Sequence, residues 1–82
     1  MDKEVDTSRL KRDVYEMPAD VRDALQSRGL TELYRQRPAY QQNDYVGWIT
    51  RAKLAATRQK RIAQMLDEIE AGRVYMKMKW NG

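Results

Sequence analysis

The sequence predicts an all-α fold: a small bundle of three to four helices with short connections and an extended C-terminal tail. Two stretches, 45–52 and 62–69, carry apolar side chains at i, i+3, i+4 and i+7, the period of a helix with one buried face. Pro18, Gly29, Pro38 and Gly72 punctuate the chain at intervals that suit helix starts and stops. The length, 82 residues, holds one domain, and a domain of that size buries only about 60% of the surface its unfolded chain exposes.

Residues 1–14 are polar, alternate in charge and show no period, so they read as a flexible tail ahead of a single domain over 15–82. Pro18 has the fixed φ of a first helical turn, and Asp20 and Asp23 follow where the helix dipole favours acids. Val21, Ala24 and Leu25 give the inner face of a helix over 18–28, with Gly29 as its left-handed terminator. Thr31 then caps a shorter helix over 32–37, with Leu33 and Tyr34 facing inward, and Pro38 breaks the pattern. A third helix runs from 39 or 41 to 53 on Tyr45, Trp48, Ile49 and Ala52, widened by Val46. Gly47 within it costs about 1 kcal/mol against Ala and marks a close approach. After a break at 54–56, Thr57 caps the last helix. Its face is Ile62, Met65, Leu66 and Ile69, and Gly72 ends it. The remainder alternates Val74, Met76, Met78 and Trp80 with Tyr75, Lys77 and Lys79, a strand pattern without a partner strand, expected to lie extended on the helices.

The last helix carries its charges in the unfavourable sense. Arg58, Lys60 and Arg61 stand in its first turns and Asp67, Glu68 and Glu70 in its last, whereas the dipole favours acids first and bases last. Each misplaced charge costs about 0.3–1 kcal/mol at low salt. The net charge of +4 is also local. Residues 1–41 hold eight bases and eight acids, residues 42–82 eight bases and four acids, and the window 51–61 five bases and no acid.

Composition narrows the chemistry. There is no His and no Cys, which excludes Cys/His zinc clusters, Ser–His pairs and a His general base. The expectation is a protein that is not an enzyme and carries no cofactor or metal. No apolar run approaches the roughly 20 residues of a membrane span and no secretory h-region is visible, so the chain reads as cytoplasmic, without membrane insertion.

From Tyr45 the chain reads YVGWITRAKLAATRQKRI. Tyr45, Val46, Trp48, Ile49, Ala52, Lys53, Thr57, Arg58, Arg61 and Ile62 match, in order and spacing, a pattern that resembles the signature of the YdeI/OmpD-associated, or bacteriocin-protection, family. Upstream, MPADVRDAL and LTELYRQRPAY resemble its Pro-initiated helix and its short aromatic helix, so the likeness spans about residues 15–72. Members often have Pro two residues before the Thr; here Ala55 stands there. The resemblance implies an all-helical bacterial domain linked to stress or bacteriocin tolerance, and no established enzyme activity.

The candidate site is the basic start of the last helix: Lys53, Thr57, Arg58 and Arg61. Free amides at a helix start and two arginine forks suit an anion or an acidic protein partner. Two other readings stand beside it. The arginines pair internally with Asp20, Asp23 or Glu16, or they are simply solvated. Weak nucleic-acid binding is the alternative function, from the basic window and a pI near 9.6. The acids at the other end of the helix read as a solvated face, and the aromatic stripe at 45–48 as core.

Overall fold

Helix α1 (Ala19–Ser27) begins at Pro18, whose carbonyl accepts the amide of Arg22 at 3.0 Å. A computed structural model describes residues 15–80; the expected N-terminal tail lies outside the described residues. Gly29, at φ 68°, turns the chain back, and the Leu30 amide reaches the Leu25 carbonyl at 2.8 Å. Only a residue without a Cβ takes that φ cheaply. Leu30 is thereby buried beneath the end of α1.

Helix α2 (Thr31–Arg35) departs from expectation in two ways. Thr31 is its first residue rather than its cap, and its hydroxyl is buried without a hydrogen-bond partner among the described residues. Tyr34 is buried as expected and donates to the Gln42 carbonyl, with burial pushing its phenol pKa up to about 12. Leu33, however, is 44% exposed. One turn of helix presents one face, and Tyr34 occupies it.

Pro38 leads into α3 (Ala39–Thr50), which buries Gln41, Tyr45, Val46, Gly47 and Ile49. Trp48 is only half-buried, and the helix stops three residues before the expected Lys53. The close approach at Gly47 is made by a side chain: a Cβ there would stand 2.6 Å from the Tyr15 ring.

Helix α4 (Ala55–Ala71) is the spine, packing against α1, α2, α3 and the first C-terminal strand. It starts two residues before Thr57, because Leu54 has extended backbone (φ −105°, ψ 143°) and Ala55 and Ala56 are strong helix formers. Thr57 therefore lies inside the helix and does not cap it. Gly72, at φ 86°, ends it. The core is Val21, Leu25, Leu30, Tyr34, Tyr45, Ile49, Ile62, Met65, Leu66 and Ile69.

The C-terminal stretch is not an extended tail. It folds on itself as a hairpin of β1 (Val74–Tyr75) and β2 (Met78–Lys79), with Tyr75 opposite Met78. Met76 and Lys77 form its two-residue loop, both at positive φ (49° and 64°), as the tightest hairpins require. Neither is the Asn or Gly that such a loop favours, so something outside the hairpin must hold it.

Candidate functional site

The corner between α3 and α4 carries the sequence-predicted site residues. The last carbonyls of α3 have no partners within their own helix, and they form the negative end of its dipole. Arg61 donates through Nη1 to the Trp48 carbonyl at 2.6 Å, and its guanidinium lies 5.2 Å from the Trp48 ring centroid. Arg58 donates through Nη1 to the Ile49 carbonyl at 3.4 Å. The same guanidinium grips Asp20 with two bonds, Nε to Oδ2 at 2.7 Å and Nη2 to Oδ1 at 3.0 Å. That bond holds the Asp20 carboxyl below its ordinary pKa, and Asp20 in turn accepts the Val21 amide at the start of α1.

This resolves the odd charge order of α4. Its bases stand at the wrong end of their own helix but at the right end of α3, whose terminal carbonyls they meet. They also join the start of α1, where Asp20 sits, to the end of α3. Of the three proposed internal partners, Asp20 makes the contact; Asp23 lies beside Arg22 at 3.5 Å and Glu16 is exposed.

The acidic end follows the same rule. Arg28, just past α1, bonds Glu70 at 2.5 Å and lies 3.5 Å from Asp67. Glu68 corrects the expectation of a solvated face, because it is 6% exposed. Its Oε1 accepts the Tyr45 hydroxyl and the Met76 amide at 2.8 Å; its Oε2 accepts the Lys77 amide at 2.9 Å and Gln64 Nε2 at 3.0 Å. The two loop amides of the hairpin thus converge on one carboxylate, which holds Met76 and Lys77 in the left-handed region. Burial, and then the bond to Glu68, raise the Tyr45 phenol pKa, so Tyr45 stays a donor. Tyr75 stands edge-on to both Tyr40 and Tyr45 and donates to Asp44, which fastens the hairpin to α3.

Arg37 completes this buried polar layer at 5% exposure. It donates to Gln41 Oε1 at 3.1 Å and to the Glu68 main-chain carbonyl at 2.9 Å, and lies over the Trp80 ring at 4.6 Å. Arg37, Gln41 and Glu68 escaped the sequence reading. The available signal was position: Glu68 follows Met65 by three residues, on the flank of the apolar stripe.

Of the four predicted site residues, Arg58 and Arg61 are drawn together at the end of α3 and held by internal acceptors. Lys53 is exposed in the connecting loop, and Thr57 is half-buried in the first turn of α4. The profile described as "Bacteriocin-protection, YdeI or OmpD-Associated" matches residues 14–72, through all four helices to the glycine that ends the last. The chain belongs to this family. The bacteriocin-protection segment thus includes the α3–α4 corner and Glu68, while the hairpin that Glu68 holds lies beyond it. Ala55, where members often have Pro, is the first residue of α4, the position where a helix most readily accepts Pro; the break before α4 is sharp without it. No curated protein and no solved structure matches the chain. Among the described residues, no acidic cluster is arranged to hold a metal ion, and no helix is long and apolar enough to cross a membrane.

Proposed function

We propose that this member of the bacteriocin-protection family is a non-enzymatic interaction module of the bacterial cytoplasm that takes an acidic protein segment at the start of α4. The observation that carries this reading is Leu54. It is 69% exposed, the most exposed large apolar side chain among the described residues, and it stands at the N-cap of a helix with no side-chain cap and no acid in its first turn. The first intrahelical bond is the Arg58 amide to the Leu54 carbonyl, so the amides of Ala55, Ala56 and Thr57 remain available. Arg51, Lys53 and Lys60 are exposed around this point. An acidic side chain would meet the free amides and Lys53, and a neighbouring apolar residue would cover Leu54. Arg58 and Arg61 shape the ledge from behind; Thr57 places its amide on it.

The test is an amide NMR titration with a short peptide of alternating Glu and Leu, then with a DNA duplex, each at low and high salt. The proposal expects saturable shifts at 53–57 with the peptide that persist at high salt, and their loss in Lys53→Glu and Leu54→Ser variants of unchanged melting temperature. Tighter binding of the duplex, falling steeply with salt, would favour nucleic acid instead. No shift at 53–57 with either probe would refute both readings.

A further inference from the structure

At the other end of α4, a cleft of about 140 Å³ is lined by Leu33, Gln36, Arg37, Ile69, Gly72 and Trp80. Its floor holds a guanidinium that is almost fully buried yet makes no ion pair among the described residues. Arg37 bonds only an amide oxygen and a main-chain carbonyl, through Nη1 and Nη2, so its Nε–H has no acceptor there. Buried charges are ordinarily paired, because burial without a counter-ion is costly. Glu68, the one buried carboxylate among the described residues, lies in the same polar layer, but four donors from Tyr45, Gln64, Met76 and Lys77 take it up.

Two further side chains that carry donors, Trp80 and Gln36, line the cleft. Neither makes a side-chain hydrogen bond among the described residues. The hairpin fixes Trp80 through its main-chain amide, bonded to the Arg73 carbonyl at 2.9 Å, and through the stacked Arg37. Leu33 and Ile69 make the remaining wall apolar. The unexpected exposure of Leu33 falls on this rim.

We propose that this cleft binds a carboxylate on a short apolar stem, the anion meeting Arg37 and Trp80 and the stem lying against Leu33 and Ile69. A cleft near 150 Å³ takes a ligand of about benzene's size, which is ample for a three- or four-carbon acid or the end of a glutamate side chain. A planar guanidinium beside an indole N–H matches a carboxylate's two acceptor oxygens. The site is separate from the start of α4, and Trp80 lies outside the stretch that the family profile covers.

The test is a titration of the full chain with propionate, with a blocked Ala-Glu-Ala peptide and, at equal ionic strength, with chloride. The Trp80 indole and Gln36 side-chain resonances are the readout. Saturable shifts with propionate or the peptide, absent with chloride, support the proposal; the tighter of the two identifies a free acid or a protein glutamate as the source. Trp80→Phe keeps the ring stack but removes the donor, and should weaken binding about tenfold while the fold is retained. Equal shifts from all three additives, absence of shifts at Trp80, or full affinity in Trp80→Phe would overturn it.

Discussion

Replacing Glu68 by Gln changes one atom's chemistry and almost none of its volume, yet it should cost a large part of the domain's stability. All four groups that reach the carboxylate are donors. Whichever oxygen becomes an amide nitrogen, the two donors on that side face another donor. The Tyr45 hydroxyl can rotate to accept, but the Met76 and Lys77 amides cannot, so at least one part-buried main-chain N–H loses its acceptor. Such a group costs about 1–3 kcal/mol, and loss of the negative charge weakens the remaining bonds. A loss of about 2–4 kcal/mol follows, against a total of about 4–12 kcal/mol for a chain of this length. The melting temperature should fall by about 8–30 °C. Urea titration followed by circular dichroism gives the free energy, and hydrogen exchange at the amides of 76 and 77 gives the location. Melting within about 3 °C of the wild type, with both amides still protected, would refute the claim that this carboxylate holds the hairpin.

The Asp20–Arg58 pair should appear in the pH dependence of stability. Because Arg58 depresses the folded pKa of Asp20, the pair's contribution is complete above the unfolded value near ~4 and is lost as pH falls through the lower folded value. Urea titrations of the wild type and Asp20→Asn should therefore differ by a constant above about pH 5 and converge toward pH 2. Arg58→Glu, which sets like charges together and abandons the Ile49 carbonyl, should destabilise more than Arg58→Ala, itself costing about 1 kcal/mol by thermal or urea unfolding. Gly47→Ala gains helix propensity but drives a methyl into the Tyr15 ring; in a Tyr15→Ala background the same change should become stabilising by about 1 kcal/mol, a reversal that a urea double-mutant cycle detects. Lys77→Gly removes the strain of a side chain at φ 64° and should raise stability by about 0.5–1 kcal/mol in the same assay.

Elements that follow a local rule were legible in the sequence. The apolar stripes of α3 and α4 and the glycine stops at Gly29 and Gly72 appear where periodicity and left-handed turns place them. The family resemblance was legible too, since its motif lies along the corner that packs α3 on α4. Errors arose where a tertiary partner overrides the local signal. Thr31 and Thr57 have the chemistry of caps, but the backbone of Leu30 and Leu54 takes the cap position instead. The hairpin turns on Met76 and Lys77, residues that carry no turn signal, because its turn is written elsewhere, in Glu68. Glu68 and Arg37 look like surface charges in a one-dimensional reading, but in the fold the hairpin loop bonds Glu68 and Trp80 covers Arg37, and both are buried.

The reversed charge order of α4 is explained if its arginines belong to the end of α3 and to Asp20. The most direct test is an NMR titration with phosphate that observes the arginine side-chain Nε–H groups. With these guanidinium groups held internally, the Arg58 Nε–H, which bonds Asp20, should be visible at neutral pH and protected from exchange, and neither arginine should be moved by phosphate. Saturable phosphate shifts at Arg58 and Arg61, with an Arg58 Nε–H that exchanges freely in its absence, would show the two side chains open to solvent and would contradict the account.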